Sequence, residues 1–147
     1  MRKFAFGLEP VLNLKRRRED SLLEELGRRQ RALKAAEEAL RGVAAERRQA
    51  EDDLRMLLLG RIDLGKVRAA RQYLAAVERR LACQRRECER RAAEVQACRQ
   101  DLVAAQKERK TFEKLRQRQW EAYQEDFRRE EQSFLDELAA QEYGRQR

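Results

Sequence analysis

A seven-residue apolar repeat runs through most of this chain and breaks once, at Leu58–Lys66, which reads Leu-Leu-Gly-Arg-Ile-Asp-Leu-Gly-Lys. Before the break, apolar residues recur at Leu12, Leu26, Leu33, Leu40 and Leu54. After it, the matching series is Val67, Leu74, Leu81, Cys88, Val95 and Leu102. A strict heptad counted from Leu54 reaches position 68, one residue past Val67. Gly60 and Gly65 lie in the gap, and each costs a helix interior about 1 kcal/mol relative to Ala. That cost alone does not forbid one continuous helix, but glycines and a phase slip together read as a turn. The expected fold is all-α: a long antiparallel two-helix coiled coil, or helical hairpin. Its first helix covers about 9–58, its turn 58–66 and its second helix about 66–141, forming a single elongated domain over residues 1–147.

The repeat can be counted on both sides. In the first helix the core positions carry Leu8, Leu12, Leu22, Leu26, Leu33, Ala36, Leu40, Val43, Ala50, Leu54 and Leu57, with Lys15, Glu19, Arg29 and Arg47 at the others. The second carries Val67, Ala70, Leu74, Val77, Leu81, Cys88, Val95, Cys98, Leu102, Ala105 and Phe112, interrupted by Gln84, Arg91 and Arg109. Such a run is a coiled-coil signature, and the charged exceptions either fix register or face a partner. Pro10 suits the first turn of a helix, where its missing N–H costs little. Beyond Phe112 the apolar set changes phase to Leu115, Trp120, Tyr123, Phe127, Phe134, Leu135 and Leu138, as in a stutter. The second arm outruns the first. Phe4, Phe6 and these later aromatics could pack together where both termini meet, or could await another protein.

Composition narrows the function. Of 147 residues, 42% are charged and only 6% aromatic, the profile of long helices rather than of a large globular core. There is no His, and Ser21, Thr111 and Ser133 are the only Ser or Thr residues. General acid–base work would fall to carboxylates or Lys, and a hairpin offers no cleft to shift their pKa. No Gly-rich phosphate loop and no zinc-ligand spacing occurs, so no catalytic residue, cofactor or metal site is expected. Cys88 and Cys98 fall on core positions and read as small buried apolar residues, while Cys83 lies off the seam. An odd cysteine count without a secretory leader points to reduced thiols in the cytosol. No run of apolar residues is long enough to span a membrane.

The net charge is +8, unevenly spread. Residues 61–119 carry 17 Lys/Arg against 8 Asp/Glu, whereas residues 120–147 carry 4 against 8. A basic balance suits nucleic acid, anionic lipid or an acidic protein, or simply keeps a long helix soluble. The clusters Lys15-Arg16-Arg17-Arg18, Arg28-Arg29, Arg47-Arg48, Arg79-Arg80, Arg85-Arg86 and Arg90-Arg91 splay around the helix, and Glu87 and Glu89 interrupt the densest run. A continuous basic face for specific nucleic-acid binding is missing.

Four segments in order resemble a known family. The opening Phe4-Ala-Phe6-Gly-Leu8-Glu9-Pro10-Val11-Leu12 is similar to a Phe-x-Phe-x-Leu-Glu-x-Val-Leu start. Tyr73-Leu74 with Leu81, Lys110-Thr-Phe-Glu-Lys-Leu115 and Phe134-Leu135-Asp136-Glu137-Leu138-Ala139 resemble later segments of the same family. That family is FliJ, the small coiled-coil component of the bacterial flagellar type III export apparatus. The resemblance implies an antiparallel two-helix coiled coil similar to the central stalk of a rotary ATPase. It also implies partners: the flagellar export ATPase ring, the cytoplasmic domain of the export gate, and export chaperones. The implied location is cytoplasmic, peripheral at the inner membrane through partners.

By the same resemblance, the gate contact falls on Val43, Tyr73 and Val77. The chain departs from the family at Glu46, Ala50, Arg80 and Gln84, where better-known members carry aromatics, Ala or His. Charge and shape add a candidate ATPase-facing set, Lys15, Arg16, Arg17 and Arg18 with Arg128 and Arg129. The competing reading is a structural coiled coil, a parallel dimer of continuous helices, with a basic surface for nucleic acid or membrane.

Overall fold

The computed structural model describes residues 3–145, and within them the chain forms two α-helices, α1 (Glu9–Leu57) and α2 (Leu64–Arg145). The chain is a helical hairpin, so a single continuous helix is ruled out. It divides into two compact units. One, the turn unit, comprises Ser21–Leu102; the other, the terminal unit, joins the chain up to Asp20 with the chain from Val103 onward.

The turn unit contains the break. α1 ends in a tightening last turn, with the Leu58 amide donating to both Leu54 O and Arg55 O and the Leu59 amide to Met56 O. Gly60 follows with φ of 70°, the left-handed region that glycine enters without steric cost. Gly65, by contrast, lies inside the first turn of α2. The reason is Asp63, whose Oδ1 accepts from the Gly65 amide at 3.0 Å and from the Lys66 amide at 3.3 Å. A carboxylate there satisfies amides that the helix leaves unpaired and faces the positive end of its dipole. The turn is therefore Leu58–Asp63, tighter than the 58–66 expected, and only one glycine is needed for it. At its other end α2 runs on to Arg145, past the expected stop near 141, and no proline stands before that point to end it.

Within the turn unit the helices are antiparallel. Arg80 reaches Glu46 across 34 residues of sequence, Gln84 Nε2 donates to Ala36 O across 48, and Cys98 Sγ to Leu22 O across 76. Separation grows as α1 positions fall, which only antiparallel pairing produces. The buried residues are Leu22, Ala36, Ala50, Val67, Val77, Leu81, Val95, Cys98 and Leu102, all on the counted core positions. Cys88 is half-buried and Cys83 exposed.

The terminal unit repeats the arrangement with its own residues. Lys15 pairs with Glu108, Glu19 with Arg109 and Glu9 with Arg116, across 93, 90 and 107 residues. Phe6, Leu12 and Ala105 are buried there, and Leu12 is wholly inaccessible. The Glu9 amide donates to Phe6 O, which carries the lead-in segment onto α1. Leu8 is the one expected apolar core residue left exposed, at 38%.

The charged interruptions of the repeat find partners. Glu19 and Arg109, both expected at core positions, bind each other across the helices, and Arg109 also binds Glu113 at 2.7 Å. Lys15 lies 2.8 Å from Glu108, with its ammonium 6.0 Å from the Phe112 ring. Arg29 and Arg91 are each held within their own helix, by Glu25 and Glu87. Arg47 Nε is buried 3.1 Å from Glu51 but without the angle of a hydrogen bond, and 3.9 Å from Glu78 on α2. Pairing a charge leaves the seam without the penalty of an isolated one and favours one register over its neighbours.

Candidate interaction surfaces

The residues proposed to meet the export gate lie in the turn unit, and their exposures differ sharply. Tyr73 is 52% exposed and projects from α2. Val43 is half-buried. Val77 has no accessible surface at all in the hairpin. It fills the seam, and any contact face there is built on it rather than from it. Val77 is also a core position of the heptad count.

Glu46, Ala50, Arg80 and Gln84 are taken up by contacts between the two helices of the turn unit. Arg80 meets Glu46 at 2.8 Å, Gln84 donates to the Ala36 carbonyl at 3.1 Å, and Ala50 is buried.

The basic cluster expected to meet the ATPase is in the terminal unit and is only partly free. Lys15 is neutralised by Glu108, whose carboxyl it holds below the usual carboxylate range by hydrogen bond and charge, with Arg18 adding to the effect. Arg16 lies 3.7 Å from Glu113. Arg17 and Arg18 are exposed and form no ion pair among the described residues. Arg128 is exposed beside a shallow recess of about 310 Å³ lined also by Trp120, Tyr123, Gln124 and Phe127. Arg129 lies 3.8 Å from Glu125.

That recess borders an aromatic cluster that the sequence foreshadowed. The Phe4 ring stands edge-on to Trp120 at 5.0 Å and tilted against Tyr123 at 5.6 Å, while Trp120 stacks on Tyr123 at 5.6 Å. Edge-to-face and offset geometries at this distance are the favourable ones for aromatic quadrupoles. Trp120 nevertheless stays 37% exposed, and Phe127 lines the same recess. Phe127, Phe134, Leu135, Leu138 and Tyr143 remain exposed on α2.

No grouping of three or more His, Cys, Asp or Glu side chains able to hold a metal occurs among the described residues. Among them, no helix is long and apolar enough to cross a membrane.

Against known proteins, the family model described as Flagellar FliJ protein matches residues 4–147. The chain belongs to the FliJ family. FliJ proteins serve the bacterial flagellar type III export apparatus. Among solved structures, a YscO homologue from Chlamydia trachomatis is similar, with a TM-score of 0.56 and 20% identity over 93% of each chain. At that identity the likeness is one of fold. No curated protein matches the sequence.

Proposed function

We propose that this FliJ-family chain is a non-enzymatic stalk and adaptor of the bacterial flagellar type III export apparatus. It acts at the cytoplasmic face of the inner membrane. In this reading it enters the export ATPase ring, promotes its assembly or activity, and links it to the cytoplasmic domain of the export gate and to export chaperones. The observation that carries the reading is the family match over almost the whole chain, joined to an antiparallel two-helix build. Two helices side by side are about 20 Å across, slender enough for a ring's central opening and similar in plan to a rotary stalk.

The assignment of surfaces follows exposure and charge. A stalk that must adjust rotationally is better served by charged than by apolar contacts, because screened Coulomb attraction does not fix one orientation. Arg16, Arg17 and Arg18, with Arg128, supply such a surface on the terminal unit, and Lys15 supports it while bound to Glu108. Tyr73 on α2 is the exposed residue that suits the gate, with half-buried Val43 on α1 as the second candidate.

The test is association with the export ATPase and the gate domain of the same cell, by pull-down at low and high salt. Arg16→Glu/Arg17→Glu/Arg18→Glu is expected to weaken ATPase association and stimulation while helicity is kept, and wild-type association should itself weaken as salt rises, which narrows the gap between the two. Tyr73→Ala is expected to spare the ATPase and impair the gate. If the charge reversal leaves ATPase association intact, or abolishes gate binding alone, the surfaces are assigned the wrong way round.

A further inference from the structure

The turn between α1 and α2 ends in large apolar side chains that the hairpin does not use. Met56 is 68% exposed, Leu59 67%, Ile62 53% and Leu64 80%, with Leu58 also open. Scattered exposed apolar residues are ordinary, but five within nine positions at a protruding turn form a patch, and patches mark interaction sites.

On the α2 side of this patch the charge is mainly basic, whereas Glu51, Asp52 and Asp53 lie on the α1 side. From Leu54 to Val77 the chain carries Arg55, Arg61, Lys66, Arg68 and Arg71 against the single carboxylate of Asp63. Asp63 is committed to the first amides of α2. Arg55 pairs with Asp52 at 3.3 Å, but Arg61, Lys66, Arg68 and Arg71 form no ion pair among the described residues. An apolar tip thus projects beyond a collar of uncompensated cations.

We propose that this tip docks on an anionic lipid surface, placing Leu59, Ile62 and Leu64 at the acyl boundary and the collar among the headgroups. The combination is the one that holds peripheral helices to membranes: buried apolar area plus attraction to anionic lipid. The local geometry favours a fluid surface over a protein groove. A groove reads a stripe at helical spacing along one face. Here Leu58 and Leu59 are adjacent, Gly60 bends the chain through the left-handed region, and Ile62 and Leu64 follow on the far side of the bend. The exposed apolar side chains thus lie on both sides of a bend rather than along one helical stripe, an arrangement that a bilayer accepts without a matching groove. The inference does not depend on the ATPase or gate contacts proposed above.

The test uses the full chain and vesicles of phosphatidylcholine with or without phosphatidylglycerol. Each basic residue near an anionic surface contributes about fivefold to partitioning. The chain should co-sediment with the anionic vesicles, less so at high salt, and ignore the neutral ones. Leu59→Glu/Ile62→Glu should reduce binding by about tenfold or more, since it removes apolar insertion and adds repulsion. Arg61→Glu/Lys66→Glu/Arg68→Glu/Arg71→Glu should do the same, while Arg16→Glu/Arg17→Glu/Arg18→Glu should retain binding. Circular dichroism confirms that each variant stays helical. In a Trp120→Phe background, Ile62→Trp should shift its emission to the blue on anionic vesicles. The proposal fails if the wild type ignores anionic vesicles at low salt. It fails equally if Leu59→Glu/Ile62→Glu binds undiminished, or if the Ile62→Trp emission stays put. Loss of a protein partner in the tip variants with no vesicle binding in the wild type would overturn it in favour of a protein surface. None of these outcomes bears on association with the ATPase, so the two readings fail separately.

Discussion

The Lys15 ammonium lies 2.8 Å from a Glu108 carboxylate oxygen, joining α1 to α2 in the terminal unit. That contact ties stability to pH. The Glu108 carboxyl is held below its ordinary value, chiefly by the hydrogen bond from Lys15 and by its charge. A carboxyl depressed in the folded state stabilises it above the unfolded-state pKa, and that contribution is lost as pH falls through the lower folded value. The Glu108→Gln variant should therefore lose less melting temperature than the wild type between neutral pH and pH 3 (about one unit below the usual carboxylate range). Thermal melts at both pH values measure it, and equal losses would show that the pair contributes nothing.

Neighbouring leucines should behave oppositely. Leu12 has no accessible surface, whereas Leu14 is 62% exposed. Leu12→Ala should cost about 2–5 kcal/mol, the usual range for emptying a packed site. Leu14→Ala should remain within about 0.5 kcal/mol of wild type. Urea denaturation of the two variants separates them, and similar midpoints would refute the helical phase assigned to α1.

The turn offers a contrast between two glycines. Gly60 has φ of 70°, so Gly60→Ala should destabilise by about 1–2 kcal/mol, the cost of a left-handed L-residue. A Cβ at Gly65 would stand 3.3 Å from Asp63 Oδ1, so Gly65→Ala gains helix propensity but crowds the cap, and its net effect should be small. Asp63→Ala should itself cost about 0.5–2 kcal/mol by leaving the Gly65 and Lys66 amides unpaired. Equal costs at Gly60 and Gly65 would place the bend elsewhere.

Trp120 is the only tryptophan, and it reports on the lead-in segment through Phe4. Phe4→Ala should red-shift its emission and cost about 0.5–1.5 kcal/mol for the lost ring pair, plus some burial. An unchanged spectrum would mean that residues before α1 do not pack on Trp120 in solution.

Much of this fold was legible because a coiled-coil seam is written directly in periodicity. Each apolar residue counted on the α2 repeat is buried or half-buried, and among those counted on α1 only Leu8 is exposed. Periodicity also carried the information that Val77 is inside. Asp63 was missed as the cap of α2 because the two glycines drew the turn too wide. A carboxylate two and three residues before unpaired amides was the available signal. Which cations stay free could not be read from sequence. Lys15 and Arg17 look alike in a basic run, and only the register between helices, which brings Glu108 to Lys15, tells them apart. That Phe4 packs on Trp120 and Tyr123 is of the same kind, since it too depends on the register between the helices.

The growing spacing of the cross-helix pairs has a kinetic meaning. In the turn unit, Arg80 and Glu46 close a loop of 34 residues, whereas Cys98 and Leu22 close one of 76. Pairs in the terminal unit close loops of 90 to 107. Taken singly, going from the shortest to the longest closure raises the entropic cost by only about 1 kcal/mol. Formed in order, each pair needs only the few residues beyond the last one fixed. The bend at Gly60 is then the natural nucleus of a zipper, and the residues around Phe4 and Trp120 would be the last to close and the first to fray.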